Sequence, residues 1–193
     1  DMYLDGIRDT AQYNREVFNL EQVDVLRGSA AMLFGRGQAG GVINQVSKTP
    51  MLYGINKAGV GIGTNGFQEV KADINQRIGE STAVRVNLMN RDEGSARSNP
   101  YTGTEPEIHR SGVAPSISFG LGTPHEVTLS HLWVKTRDNA DYGIPFVNRR
   151  PNEAMAKAGN YYGVDAGFDN SDTNVTTASY LYTIAPDTQW RTV

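Results

Sequence analysis

The feature that most restricts how this chain can fold is a two-residue alternation of apolar and polar side chains in its second part. In the first such run Val70, Ala72 and Ile74 fall on one face, and Lys71 and Asp73 fall on the other. Successive side chains of a β-strand point to opposite faces, so this period predicts a strand. The run is close to the 9–11 residues that a transmembrane strand needs. The same pattern predicts further strands around Val84–Arg91, Ser111–Leu121, Glu126–Asp138 and Val175–Ile184.

The connections between these strands alternate in length. Short turns are predicted at Ile78–Ser81, Leu121–Pro124 and Ala185–Thr188, and between them lie two long polar connections, Glu93–His109 and Asn139–Asn174. Bacterial outer-membrane barrels have short turns at one edge and long loops at the other. The pattern therefore favours a transmembrane barrel, with a water-soluble β-sandwich as the alternative.

Composition excludes several other classes of protein. The 193 residues carry a net charge of −3, so no basic excess is available to bind nucleic acid. The chain has no cysteine, which excludes disulfides, thiolate metal sites and cysteine nucleophiles. No apolar run is long enough for a transmembrane helix, whereas barrel strands average out as polar. Because the chain opens at Asp1 and closes within a strand-like run at Val193, we expect it to be a fragment.

The first 50 residues have a different character. They contain three short β-rich runs, at Met2–Leu4, Val23–Leu26 and Val42–Ser47. A short helix is predicted over Ala30–Phe34, because Ser29 can cap its start. The composition changes near residue 50, which places a domain boundary there.

No constellation of residues indicates catalysis. The spacing Gly35-x-Gly37-x-x-Gly40 fits a dinucleotide-binding fingerprint by letter, but it follows a predicted helix and precedes a β-rich run, which is the wrong context. The three histidines do not fall at a metal-binding spacing. A soluble nucleotide-binding enzyme therefore stays only as a rival hypothesis.

The stretch from Leu20 to Lys48 closely resembles the plug signature of TonB-dependent siderophore receptors. The resemblance rests on four motifs and covers nearly all of residues 1–50. These motifs are Leu26-Arg27-Gly28, Phe34-Gly35, Gly40-Gly41-Val42-Ile43-Asn44 and Lys48-Thr49-Pro50. The position after Arg27-Gly28 is often proline in this family and is Ser29 here, a substitution that keeps a helix cap.

The resemblance implies a mainly β fold: a fragment of a plugged transmembrane antiparallel β-barrel, with a small α+β plug segment at its N-terminus. Residues 1–50 correspond to the C-terminal half of the plug domain. Residues 51–193 correspond to the first strands of the barrel, about seven of the 22 in a whole receptor.

The same resemblance implies TonB-dependent uptake of a ferric siderophore, with a catecholate as the preferred class, at the bacterial outer membrane. It implies binding and active transport without catalysis, and no cofactor, since the siderophore and not the protein holds the iron. The implied partners are the siderophore, outer-membrane lipid, and TonB of the TonB–ExbB–ExbD complex through an upstream segment. The alternatives are another cargo (cobalamin, haem or an oligosaccharide) and an outer-membrane β-protein that transports nothing.

The resemblance also suggests site residues. A polar loop after the first strand and a long loop in the barrel are expected to meet the ligand, and an ordinary solvated loop is the alternative in each case. The candidate ligand-binding residues are Arg8, Gln12, Tyr13, Asn14, Arg36, Tyr142, Arg149 and Arg150. Glu21 and Arg27 are expected to lock the plug to charged groups of the barrel wall, the alternative being a solvated pair.

Overall fold

The structure is a computed structural model that describes residues 1–10, 15–28, 40–139, 141, 143–157, 159–163 and 167–193. The predicted helix Ala30–Phe34 and most of the glycine loop after it lie outside these ranges. The described residues form two main sheets, one from each part of the chain.

The first sheet has four short strands in the order β2-β1-β4-β3. They are β1 (Met2–Leu4), β2 (Ile7–Asp9), β3 (Leu20–Arg27) and β4 (Gly41–Ser47). Strands β1 and β4 are parallel, and the other neighbours are antiparallel. The turn between β1 and β2 passes through Asp5, whose carboxylate accepts hydrogen bonds from the backbone N–H and the hydroxyl of Ser47, both at 2.8 Å. This contact fixes the turn to the end of β4.

The second sheet has seven long antiparallel strands in the order β13-β12-β9-β8-β7-β6-β5. They are β5 (Ile55–Ile62), β6 (Gln68–Arg77), β7 (Ala83–Gly94), β8 (Glu107–Phe119), β9 (His125–Asp138), β12 (Asp169–Ala185) and β13 (Thr188–Thr192). A small hairpin of β10 (Phe146–Val147) and β11 (Arg150–Pro151), followed by helix α1 (Glu153–Lys157), lies in the connection between β9 and β12. The predicted mainly β architecture is confirmed, and the seven strands agree with the number that the resemblance implied.

In this sheet the apolar face is exposed and the polar face is buried, the reverse of a sheet in a water-soluble protein. We call it the inverted sheet. The exposed face carries large apolar side chains, among them Val60, Ile62, Val70, Ile74, Leu88, Phe119, Val127 and Leu129. The opposite face carries polar side chains that are buried, among them Asp73, Asn75, Arg85, Asn87, Ser118, Thr136 and Asp138. A water-soluble sheet buries its apolar face, whereas a transmembrane barrel turns its apolar face to lipid.

The connections separate into two ends of the sheet. At the short-turn end, residues 78–82, 120–124 and 186–187 join successive strands. The first two of these turns touch, since Leu121 N donates to Ser81 O at 2.9 Å. At the long-loop end lie residues 63–67, 95–106 and 139–168.

Strands β8 and β12 begin earlier than the alternation predicted. The connections assigned to Glu93–His109 and Asn139–Asn174 are therefore shorter than expected. The reason is that polar side chains pair across the extra rungs of the ladder: His109 Nδ1 lies 2.7 Å from Asp92 Oδ1, and Arg137 lies 2.7 Å from the Asp172 carboxylate. Such cross-strand pairs stabilise a sheet without apolar residues.

Aromatic side chains cluster on the exposed face at the short-turn end. His125 stacks on Tyr182 with ring centroids 4.5 Å apart, and Tyr180 meets Trp190 edge to face at 6.2 Å. Aromatic residues at this level of a barrel wall are typical of the boundary between lipid and water.

Within the described ranges, no helix is long and apolar enough to cross a membrane.

Gly120 and Gly122 form a matched pair that tests the turn between β8 and β9. Both have positive φ, 73° and 76°. A Cβ on Gly120 would lie 1.9 Å from the backbone oxygen of His125, whereas on Gly122 the nearest atom is a methyl group of Leu52 at 3.9 Å. We expect Gly122→Ala to cost about 1–2 kcal/mol for its left-handed backbone. Gly120→Ala should cost more, because the backbone of the turn must also move.

The apparent midpoint of urea unfolding of the full-length protein measures the difference between the two variants. Equal midpoints would contradict the geometry described for this turn.

Candidate functional site

Residues 15–21, which we call segment 15–21, lead into the start of β3 and lie against the buried polar face of the second sheet. The segment begins at Arg15, whose Nη1 donates to Asp9 Oδ2 at 2.8 Å and to Gln45 Oε1 at 2.9 Å. Its start is thus tied to β2 and β4, and its later residues contact the seven-stranded sheet.

Glu16 makes the first contact with that sheet. Its carboxylate lies 2.8 Å from Nη1 of Arg110 and 3.3 Å from Nη2 of Arg91. Arg110 also donates from Nε and Nη2 to the Asp138 carboxylate, at 3.1 and 2.6 Å. The Glu16 side chain is only 7% exposed, and an unpaired charge in such surroundings is costly. The cluster balances two cations with two carboxylates from segment 15–21, β7, β8 and β9.

Phe18 makes the second contact, in an apolar cluster on the otherwise polar face. The cluster comprises Phe18, Met89, Ala114, Val134 and Leu132. The ring occupies space left by Gly112, since a Cβ there would lie 2.5 Å from Phe18 Cε1. Gly112 therefore makes room for Phe18 to seat against β8.

A second charged cluster lies toward the short-turn end. Nε and Nη2 of Arg85 each donate to the Asp73 carboxylate at 2.8 Å. Nζ of Lys48 lies 3.2 Å from the same carboxylate and donates to Phe18 O at 2.9 Å. Glu21 Oε2 lies 3.7 Å from Arg85 Nη2, with a side chain that is 50% exposed. Two cations again face two carboxylates, and the contribution of Glu21 is the more solvated one.

The chain enters the barrel strands beside this cluster. Nη1 of Arg85 donates to Thr49 O at 2.9 Å. The Asn75 side chain accepts a hydrogen bond from Met51 N at 2.9 Å and donates to Met51 O at 2.8 Å. An amide that satisfies both backbone groups of one residue fixes the course of the chain at that point. The junction between the two sheets is therefore held to β6 and β7.

The two residues that the sequence suggested as a lock lie in different surroundings. Glu21 lies near Arg85, as described above. Arg27, at the end of β3, is exposed, and the described part of the chain provides no ion pair for it.

Glu16 and Phe18 were not singled out from the sequence, and Lys48 was named only as part of a motif, without a role. Their signal was indirect: Asp73, Arg85, Arg91 and Asp138 lie on the polar side of the predicted alternation, and the structure adds Arg110 to the same face. Buried charges on that face require complementary groups from a facing segment.

The predicted ligand-binding residues are only partly described. Arg8 lies in β2 with a side chain that is 65% exposed, 3.4 Å from Asp1 Oδ1. Arg149 and Arg150 belong to the β10–β11 hairpin, whose turn has positive φ at Asn148 (52°) and Arg149 (62°), and both arginines are exposed. Gln12, Tyr13, Asn14, Arg36 and Tyr142 lie outside the described residues.

The two long connections are joined to each other. Tyr161 is buried, its hydroxyl donates to Asn139 Oδ1 at 3.0 Å, and its backbone N–H donates to Ser98 O at 2.9 Å. Nδ2 of Asn99 donates to Gly163 O at 3.1 Å. These contacts hold the two loops together as one packed unit at the long-loop end.

In the part of the chain that the structure describes, no group of three or more His, Asp or Glu side chains has an arrangement that could hold a metal ion.

Comparisons with known proteins agree with this architecture. The sequence model of one protein family, the TonB-dependent receptor plug domain, matches residues 1–42. The siderophore receptor PiuA of Acinetobacter baumannii is 37% identical over 183 residues, which are 91% of this chain and 24% of PiuA. The catecholate siderophore receptor Fiu of Escherichia coli K12 is 34% identical over 203 residues, or 98% of this chain and 26% of Fiu. The chain thus spans about a quarter of the length of these relatives.

Solved structures give the same result in three dimensions. The crystal structure of PiuA superposes with a TM-score of 0.83 at 33% identity, covering 96% of this chain and 27% of PiuA. The open form of Fiu gives a TM-score of 0.84 at 34% identity, covering 98% of this chain and 30% of Fiu. With its plug match, its inverted sheet and these two relatives, the chain belongs to the TonB-dependent receptors of the bacterial outer membrane.

Proposed function

We propose that this chain is part of a receptor that imports a ferric siderophore across the outer membrane, driven by TonB. The chain spans about a quarter of the relatives it resembles, so transport is assigned to the whole receptor. PiuA is named a siderophore receptor and Fiu a catecholate siderophore receptor. Their names support a ferric siderophore, with a catecholate as the preferred class.

The observation that carries the proposal is the pairing of an inverted sheet with segment 15–21. The apolar face of the sheet is suited to lipid, and its polar face is occupied by a segment that carries complementary charges. A passive porin needs an open polar lumen, whereas segment 15–21 covers part of the polar face of this sheet. A blocked barrel requires energy to move the plug, which is the role we assign to TonB.

We assign residues 1–50 to the C-terminal half of the plug and residues 51–193 to the first barrel strands. The change from short mixed strands to long antiparallel strands supports this boundary. So do the bonds between Met51 and Asn75, since they mark where the chain reaches the wall.

We assign ligand contact to the long-loop end and to the plug surface that faces it. The proposed residues are Arg8, Gln12, Tyr13, Asn14, Arg36, Tyr142, Arg149 and Arg150. Of these, Arg149 and Arg150 offer two adjacent exposed cations on a hairpin, a suitable arrangement for an anionic complex. Iron would arrive as cargo within the siderophore, and the receptor would catalyse no reaction on it and need no cofactor.

We assign plug retention to Glu21, and we add Glu16 to it. Arg27 is kept as a proposed contact to parts of the receptor beyond the described residues.

The two glutamates should differ in their effect on plug stability. We expect Glu16→Ala to destabilise the plug by about 3 kcal/mol, because it removes a buried carboxylate from Arg110 and leaves Arg91, whose side chain is 23% exposed, without its partner. Glu21→Ala should cost at most about 1 kcal/mol, since that carboxylate is half exposed. Limited proteolysis of the full-length receptor along a urea series would measure both variants. Equal sensitivity of the two would argue against Glu16 as the main retaining charge.

The Arg149→Ala/Arg150→Ala double variant tests the ligand assignment. We expect ferric siderophore binding to weaken at least about tenfold, because charge-assisted hydrogen bonds contribute about 1.5–3 kcal/mol each. Quenching of intrinsic fluorescence in detergent-solubilised full-length receptor measures the affinity for ferric catecholate, ferric hydroxamate, cobalamin and haem. The matched control is Arg77→Ala/Arg191→Ala, which removes two exposed cations from β6 and β13.

If the wild-type receptor binds neither ferric catecholate nor ferric hydroxamate, siderophore uptake is contradicted. Unchanged affinity in the Arg149/Arg150 variant would remove only the hairpin from the binding site.

A further inference from the structure

We propose that Tyr161 is a positioning residue for ligand binding, which holds the β10–β11 hairpin and its two arginines at the place where the ligand meets the receptor. This inference rests on the proposed function, because it takes Arg149 and Arg150 as ligand contacts. Both arginine side chains are exposed, so their own packing does not fix them. Their position depends on what holds the hairpin.

The hairpin is a small sheet of its own. Its two strands pair over two residues each, and none of the other described strands extends this sheet. Next to the paired residues, Asn152 N donates to Pro145 O at 3.1 Å. An isolated two-stranded hairpin is only marginally stable in water. The segments on either side of the hairpin therefore have to hold it in place.

Tyr161 joins the two ends of the segment that carries the hairpin. Its hydroxyl donates to Asn139 Oδ1 at 3.0 Å, and the residue is only 1% exposed. Asn139 directly follows β9, and its N–H donates to Glu107 O at 2.8 Å. The phenol therefore closes residues 139–161 into a loop whose neck is held against the start of β8.

The first long connection holds the same neck from both sides. On one side, Arg97 Nη1 lies 3.1 Å from Asp141 Oδ2. On the other side, Tyr161 N donates to Ser98 O at 2.9 Å. Two neighbouring residues of that connection thus reach both flanks of the hairpin, and Tyr161 contacts both this connection and the residue that follows β9.

The chain has a glycine where the side chain of Tyr161 needs space. A Cβ on Gly163 would overlap the hydroxyl group and the ring of Tyr161. Gly163 O also accepts a hydrogen bond from Asn99 Nδ2 at 3.1 Å. The ring thus folds back over its own chain, beside the residue at which that chain is bonded to the first long connection.

Holding the hairpin in place strengthens binding because it lowers the entropic cost of binding. A ligand that has to order a mobile loop loses the free energy of that ordering from its affinity. With the neck closed, Arg149 and Arg150 are in place before the ligand arrives. Tyr161 is buried, so it acts on binding through the two arginines and not by touching the ligand.

The test measures the affinity for ferric catecholate in the detergent-solubilised full-length receptor, by quenching of intrinsic fluorescence. Tyr161→Phe removes only the hydroxyl and should weaken binding about threefold, the usual effect of one lost hydrogen bond. Tyr161→Ala also removes the buried ring and should weaken binding at least about tenfold. The matched control is Tyr162→Phe, which removes a hydroxyl that accepts from Asn160 Nδ2 at 2.8 Å within the same connection. This control should leave the affinity unchanged.

The same substitution in the Arg149→Ala/Arg150→Ala receptor separates positioning from a general loss of structure. If Tyr161 acts through the arginines, Tyr161→Ala weakens the affinity of that receptor by less than about threefold. A further loss of about tenfold there would overturn the inference. So would an unchanged affinity of Tyr161→Ala in the wild-type background, or of the arginine variant itself. Wild-type receptor that binds neither ferric catecholate nor ferric hydroxamate would instead contradict the proposed function, and the inference would fall with it.

A second measurement needs no ligand. The given sequence contains no cysteine, and Val147 on the hairpin and Glu80 in a short turn are both exposed. Nitroxide labels at Val147→Cys and Glu80→Cys, in a full-length receptor without other cysteines, report the distance between the hairpin and the far end of the sheet by pulsed electron paramagnetic resonance. We expect Tyr161→Ala to broaden this distance distribution and Tyr162→Phe to leave it unchanged. An equally narrow distribution in the Tyr161→Ala receptor would overturn the inference, even in a receptor that binds ferric siderophore.

Discussion

Buried charge on one face of the seven-stranded sheet is the constraint on which the rest of the structure depends. Arg85 and Arg110 lie on that face, and each is paired with a carboxylate on a neighbouring strand. Those pairs leave Arg91 of the same face without a carboxylate, so further negative charge has to come from a facing element. Segment 15–21 supplies it with Glu16, and the position of the segment follows from this requirement. The apolar side chains are meanwhile left on the other face, where only lipid can solvate them favourably.

The two charged clusters and the apolar contact between them have different physical roles. The Glu16 cluster is almost dry, and its charges have to remain paired. In the second cluster Arg85 and Asp73 are buried and only Glu21 is half exposed, so Glu21 contributes direction and register more than stability. Phe18 adds shape specificity, because only a strand with glycine at that point leaves room for the ring. Together these contacts explain how a small four-stranded sheet is held against a wall to which it does not hydrogen-bond as a strand.

Sequence alone predicted strands β6 to β9 and the two classes of connection, because their side chains alternate cleanly. Strand β5 was missed, since Gly59 and Gly61 interrupt the alternation and only pairing with β6 reveals it. The extended start of β12 was missed for a related reason: its first residues are polar, and they pair with β9 without contributing to an apolar face. Glu16 and Phe18 lie in no regular pattern of their own. Their role depends on which residues of distant strands face them, and local periodicity does not encode that.

The most direct test is to measure whether each face of β9 meets lipid or the polar interior in the full-length receptor. Nitroxide labels at positions 127, 128, 129 and 130 in a lipid bilayer, read by collisional relaxation with oxygen, sample both faces in turn. Oxygen concentrates in lipid, so we predict high accessibility at Val127 and Leu129, which are exposed, and low accessibility at Thr128 and Ser130 on the opposite face. Equal accessibility at all four positions, or the reverse alternation, would contradict a barrel wall whose polar face holds the plug.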